Sequence, residues 1–182
     1  LKLITVFIRG KTPLLMHNPA GMLLNGGGKK QIPPPEVEAA AACYWTDDKS
    51  SLAFPSIGVH RAMIQVAKSW KIGRRSLAPY VAGSIQIEPL LIPLGTTDYA
   101  IDTRRAVVQR NAVMRSRPRL NTWGMEFTLS IDDEDFPTQQ SVNDLRAVLE
   151  DAGKRIGIGD FRPQCYGPFG KFSVEHWQEA AG

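Results

Sequence analysis

The chain has 182 residues, 43% hydrophobic and 22% charged. That balance excludes a wholly disordered protein and leaves enough apolar surface for a core without disulfide or metal staples. No apolar run approaches the ~20 residues of a membrane span, nothing has the form of a signal peptide, and Cys43 and Cys165 are too few for a disulfide framework. The expectation is one soluble domain over 1–182, in a reducing, cytoplasmic compartment, with no membrane partner.

In chain order, "LKLITVFIRG" is apolar on both sides of an alternating run, which predicts a strand buried on both faces and ended by Gly10. A loop insertion over 11–50 follows. Its first part, "KTPLLMHNPAGMLLNGGGKKQIPPP", reads as a long loop with a flexible glycine centre, and "PEVEAAAACYW" as a short helix packed by Val37, Ala41 and Tyr44. "LAFPSIGVHRAMIQVAKSW" predicts a short strand leading into a helix capped by Ser56. Ile57, His60, Met63, Ile64 and Ala67 are expected to face the core, with Arg61, Gln65 and Lys68 outside. "VAGSIQIEPLLIPLG", broken by Pro89 and Pro93, reads as a strand that bends or ends at a sheet edge.

From Ala100 to Leu120 six arginines, Arg104, Arg105, Arg110, Arg115, Arg117 and Arg119, stand against one acid, Asp102, while the whole chain carries only +4. A local excess built from arginine fits bidentate contact with phosphates and stacking on bases. "WGMEFTLSID" predicts a half-buried strand with Met125, Phe127, Leu129 and Ile131 inward. "SVNDLRAVLEDAG" predicts a helix capped by Ser141, with Val142, Leu145, Val148, Leu149 and Ala152 on its apolar face and Gly153 as its stop. "KFSVEHW" supplies a last strand.

The order is strand, helix, strand, strand, helix, strand. This predicts an α+β, ferredoxin-like or RRM-like β-α-β-β-α-β core, an antiparallel sheet with helices on one face and the other free for ligand. The basic segment falls between the second and third core strands, which are neighbours in this order. It should therefore project as a long hairpin insertion, about residues 95–121.

The glycine-rich stretch "GIGDFRPQCYGPFGKF" is neither a dinucleotide fingerprint nor a Walker loop. Arg162 stands where the former needs its third glycine, and Phe172 where the latter needs Ser or Thr. No metal or cofactor is expected, because the three histidines and two cysteines lack ligand spacing and the acidic run Asp132–Asp135 reads as a polar turn. Two readings of the stretch remain. It is either a hairpin whose aromatics cover the core, or a loop in which Gly157 and Gly159 let backbone approach a ligand, Arg162 and Lys171 supply charge, and Phe161, Tyr166 and Phe169 supply stacking faces.

Taken together, "TPLLMH" after the first strand, "FPSIGVHRAM" at the first core helix and the terminal "GIGDFRPQCYGPFGKF" resemble the RAMP superfamily of CRISPR-associated RNA-binding proteins. The family's proline-Ser-x-Gly-then-Arg pattern falls on Pro55, Ser56, Gly58 and Arg61, and its glycine-rich loop on Gly157, Gly159, Gly167 and Gly170. Within the superfamily the chain is most similar to the repeating backbone subunit of class 1 effector complexes, which carries a hairpin thumb between core strands. It is short for such a subunit, as a phage-encoded or minimal relative would be, and its loop "DFRPQCYGPF" is poorer in Gly and Arg.

The resemblance implies a non-enzymatic protein of a prokaryotic or phage-infected cell that binds guide RNA and assembles head to tail with copies of itself and with other effector subunits. Backbone contacts would come from Arg61, Lys68, the arginines of the hairpin, Arg162 and Lys171, with Met114 or Val113 as a wedge between bases or a contact to a neighbouring subunit. Two alternatives stay open. One is a metal-independent guide-processing endonuclease, for which His17 is the only attractive general acid or base. The other is a subunit mimic that inhibits such a complex.

Overall fold

The computed structural model describes residues 1–21, 32–108 and 110–180. The chain opens with β1 (Lys2–Gly10), β2 (Leu14–Leu15), α1 (Pro35–Ala41), β3 (Ala53–Pro55) and α2 (Ser56–Ala67). Next come β4 (Lys71–Ile72), β5 (Arg75–Ser76), α3 (Ala78–Ser84), β6 (Ile85–Glu88) and β7 (Leu91–Pro93). Two long strands, β8 (Ala100–Val108) and β9 (Asn111–Leu120), precede β10 (Gly124–Ile131) and α4 (Gln139–Asp151). A π-helical turn (Ala152–Ile156), a 3-10 turn (Pro163–Cys165) and β11 (Phe172–Glu179) complete it.

Four strands pair antiparallel in the order β11-β1-β10-β6. With the two helices that connect them, the chain reads β1-α2-β6-β10-α4-β11, the ferredoxin-like order. The core lies between this sheet and its helices. Ile4, Val6 and Ile8 of β1 and Met125, Phe127, Leu129 and Ile131 of β10 meet Val59, Met63 and Val66 of α2 and Leu145, Val148 and Leu149 of α4. Strand β6 forms a sheet edge, as the prolines after it predict.

Several local expectations are corrected. Strand β1 is buried on one face only: Leu3 is 44% exposed and Thr5 lies open. Both core helices cover the same side of the sheet, so the opposite side stays in contact with solvent. In α2 the buried stripe is Ser56, Val59, Ala62, Met63, Val66 and Ala67, and Ile57 is half exposed. Ser56 is no cap, because its side chain is buried and its N–H donates to the Leu90 carbonyl at 2.9 Å.

In α4 the cap is Thr138, whose Oγ1 accepts from the Ser141 N–H at 3.1 Å while Ser141 Oγ accepts from the Thr138 N–H at 3.2 Å. This is a capping box in which Ser141 holds the third helical position. Gly153 does not stop the helix. The chain passes through it into the π-helical turn and leaves the helical path at Gly157. In α1 it is Glu38 and Ala39 that are buried, whereas Val37 is 57% exposed. The stretch 11–50 holds β2 and α1, and the expected flexible glycine centre lies outside the described residues. The β4–β5 hairpin and α3 have no counterpart in the sequence reading.

The basic segment is a hairpin. Strand β8 pairs with β9 from Ala100↔Arg119 to Val108↔Asn111, and β2 joins the base of β9 at Leu14↔Leu120. Buried Glu38 holds this hairpin to α1. One carboxylate oxygen accepts from Arg115 Nη1 at 3.1 Å with Arg117 Nη1 3.6 Å away, and the other accepts from the Ser116 N–H at 2.9 Å. Glu38→Ala leaves a buried N–H without a partner, Arg115 without its counter-charge and Arg117 with Asp160 alone. Urea denaturation should show a loss of about 3 kcal/mol, and a loss below about 1 kcal/mol would contradict the anchoring role.

Candidate nucleic-acid interface

A cleft of about 360 Å³ opens where the N-terminal end of α2, the segment after β2 and the glycine-rich stretch meet. His17, Tyr44, Arg61, Gln65, Arg162 and Gln164 line it, together with backbone from Ile156 to Asp160. His17 arrives there because β2 pairs with β9, Met16 N–H donates to the Pro118 carbonyl at 3.0 Å, and Tyr44 Oη donates to the His17 carbonyl at 3.3 Å. Its Nε2 is buried without a hydrogen-bond partner among the described residues. Such an atom calls for a ligand group or a water. Burial, and next the charge of Arg117, push the His17 pKa below its ordinary value; Arg115 acts in the same sense, and Asp160 and Glu38 oppose.

The glycine-rich stretch is laid against the chain itself. Asp160 N–H donates to the Leu15 carbonyl at 2.9 Å and Gly170 N–H to the Pro13 carbonyl at 2.8 Å. At Gly159, with φ of 79°, a Cβ would run into the Leu15 carbonyl. Only glycine allows that approach. Arg162 donates from Nη1 to the Gly159 carbonyl at 3.0 Å and from Nη2 to Gln164 at 2.9 Å, which fixes its guanidinium at the cleft. Phe169 is buried, Phe161 partly exposed and Tyr166 almost fully exposed. Arg104 lies over the Phe169 ring at 4.4 Å and the Phe161 ring at 5.9 Å.

The hairpin arginines are less free than their number suggests. Asp102, only 6% exposed, accepts from Arg104 Nε and from Arg119 Nη1, the latter at 3.0 Å. The hydrogen bond from Arg104 holds its carboxyl below the usual range. Arg117 Nε lies 3.3 Å from Asp160, and Arg115 and Arg117 share Glu38. Four guanidiniums are thus matched by three carboxylates. Arg105 and Arg110 are exposed, and Met114, 52% exposed, stands opposite Arg105 on the hairpin.

The structure therefore brings His17, Arg61, Gly157, Gly159 and Arg162 to one cleft, while the Phe161 ring lies under Arg104 and is not part of its lining. Arg104, Arg115, Arg117 and Arg119 lie in the hairpin's ion pairs. Lys68 lies on the same side of α2 as Arg61, one helical turn beyond Gln65. Lys171 lines a separate depression with Lys11 and Lys154. Sequence reasoning missed Gln164 and Tyr44 as lining groups, and missed Glu38 and Asp160 as counter-charges. It also missed the stretch from Lys49 to Ile87, which holds six Lys and Arg residues and no acid. Among the described residues no group of His, Cys, Asp or Glu side chains is placed to hold a metal ion, and no helix is long and apolar enough to cross a membrane.

No protein-family model matches the chain, and no curated protein matches it by sequence. Its fold is nevertheless shared. A chain in the solved structure of the Type III-B Cmr-beta bound to cognate target RNA is similar over 98% of this chain, with a TM-score of 0.62 and 9% sequence identity. This chain spans 60% of that one. At such an identity the similarity is one of fold, and it agrees with the ferredoxin-like order of the sheet.

The lowered pKa of the partly buried His17 has a consequence for stability. Its folded pKa lies below the unfolded value of about 6.5, so its contribution is fully present above that value and is lost as pH falls through it toward the folded pKa. Urea midpoints of the wild type should decline between pH 7 and pH 5 more steeply than those of His17→Gln. Parallel declines would contradict the burial of this imidazole.

Proposed function

We propose that the chain is a non-catalytic RNA-binding subunit of a CRISPR-type ribonucleoprotein, assembling along a guide RNA beside copies of itself and other effector subunits. The observation that carries the reading is the cleft. The N-terminal turn of α2 lines it and brings the positive end of the helix dipole, Arg61 and Arg162 supply positive charge, and the Nε2 of His17 has no hydrogen-bond partner among the described residues. A phosphodiester with its neighbouring 2′-OH satisfies all three. The fold shared with a chain of an RNA-bound Cmr-beta complex supports the same reading.

The hairpin serves assembly in this scheme. Val107, 70% exposed, and Met114 fall on one face of it by register, beyond the ion-paired base. Exposed apolar groups on a stiff arm fit a surface on the next copy or a gap between bases. Such a heterologous contact does not close by symmetry and grows along the RNA. The endonuclease reading is favoured by one observation, a His17 in the cleft whose pKa is pushed down by burial, although Asp160, the carboxylate beside it, is tied to Arg117.

Light scattering with single-stranded RNAs of increasing length tests the proposal. The wild type should gain mass stepwise with RNA length and leave the RNA intact, while Arg61→Ala combined with Arg162→Ala should weaken binding at least about tenfold, from the loss of two charge-assisted contacts. Unchanged binding by that variant would overturn the cleft as the site. A constant one-to-one complex would overturn the array, and cleavage that disappears with His17→Ala would replace the assignment with the endonuclease.

A further inference from the structure

Among the described residues, the densest positive charge without ion pairs is not on the arginine hairpin. Lys68, Lys71, Arg74 and Arg75 fall within eight residues, all exposed, and none forms an ion pair among the described residues. They are held on an ordered element. Lys71 pairs with Ser76 and Ile72 with Arg75, Gly73 makes the turn with φ of 59°, and Leu77 N–H donates to the Trp70 carbonyl at 3.0 Å. Lys68 Nζ donates to Gln65 at 2.8 Å.

The patch is continuous with the cleft. Arg61, Gln65 and Lys68 recur at four- and three-residue spacing and so share one side of α2, the side that begins at the cleft wall. From Arg61 to Lys68 that side runs about 10 Å along the helix axis. The β4–β5 hairpin then takes the charge onward. No large apolar side chain is exposed between Lys68 and Ser76, so the patch has charge without the apolar anchor a protein interface uses. A phosphodiester chain needs only the charge.

We propose that the outer side of α2 and the β4–β5 hairpin form a track for the backbone of single-stranded RNA leading away from the cleft, with Arg61, Lys68, Lys71, Arg74 and Arg75 as its phosphate contacts. The inference rests on the RNA-binding reading and adds a path to it. Because Arg104, Arg115, Arg117 and Arg119 already hold carboxylates, this track supplies the larger share of the salt-dependent part of binding.

The test is the affinity of the full chain for a fluorescent oligouridylate over a range of salt concentrations, compared with a variant carrying Lys68→Ala, Lys71→Ala, Arg74→Ala and Arg75→Ala. Each phosphate contact to a single strand adds about 0.7 to the log–log slope, so the variant's slope should fall by about 2 to 3. Single substitutions should each remove about 0.7, and Lys71→Arg should remove nothing; these keep the test decisive if the fourfold variant folds poorly. A wild-type slope in the variants overturns the track and leaves the cleft standing. Absence of RNA binding by the wild type overturns both. Loss of polyglutamate binding in the variants with the RNA slope intact assigns the patch to an acidic protein and also overturns the track.

Discussion

The carboxylate of Glu38 sits almost out of water between the guanidiniums of Arg115 and Arg117, with the Ser116 N–H on its second oxygen. Removing either side of that arrangement leaves a buried charge or donor without compensation, so α1 and the hairpin hold each other in one position. Arg117, placed in this way, reaches Asp160 and ties the glycine-rich stretch to the hairpin. Asp160 is in turn fixed by its N–H to the Leu15 carbonyl, two residues before His17. The floor and one wall of the cleft therefore depend on a chain of contacts that starts at a single glutamate in a seven-residue helix.

This arrangement divides the positive charge of the molecule into two kinds. On the hairpin, four guanidiniums are matched by Glu38, Asp102 and Asp160, with that of Arg104 lying over Phe169, and their work is to stiffen an arm. Along α2 and the β4–β5 hairpin the charges form no ion pair among the described residues and are exposed to a ligand. A stiff arm with Val107 and Met114 exposed beyond its ion pairs fits contact with another macromolecule, and a free basic strip fits a polyanion. The ferredoxin-like sheet sets the two apart, since the arm issues between β6 and β10 while the strip runs along the helix over the core.

The core of the fold was legible because its signals are local. The alternation Met125, Phe127, Leu129, Ile131 and the stripe Val142, Leu145, Val148, Leu149 each state a period and a buried face, and both hold. Where two apolar stripes compete, as in α2, periodicity alone does not choose, and the sheet selected Val59, Ala62 and Val66 over Ile57 and His60. Ser56 and Ser141 were both read as caps, but a serine beside a helix start can equally be its first or third residue, and the tertiary partner decides which. The site was less legible. Counting arginines located the hairpin, yet it could not show that a glutamate far earlier in the chain would neutralise two of them. The acid-free stretch from Lys49 to Ile87 was visible in the sequence but was masked by averaging it into a nearly neutral remainder.

The central claim is that RNA runs through the cleft and along α2, with the base of the hairpin serving as structure. Photo-crosslinking of the full chain to single-stranded RNA containing 4-thiouridine, followed by peptide mapping, tests it most directly. The account predicts crosslinks in the peptides around Tyr44, Phe54 to Arg75 and Ile156 to Gln164, with the hairpin represented only by its outer part around Met114. Crosslinks confined to residues 100–120, with none at the cleft or along α2, would contradict it.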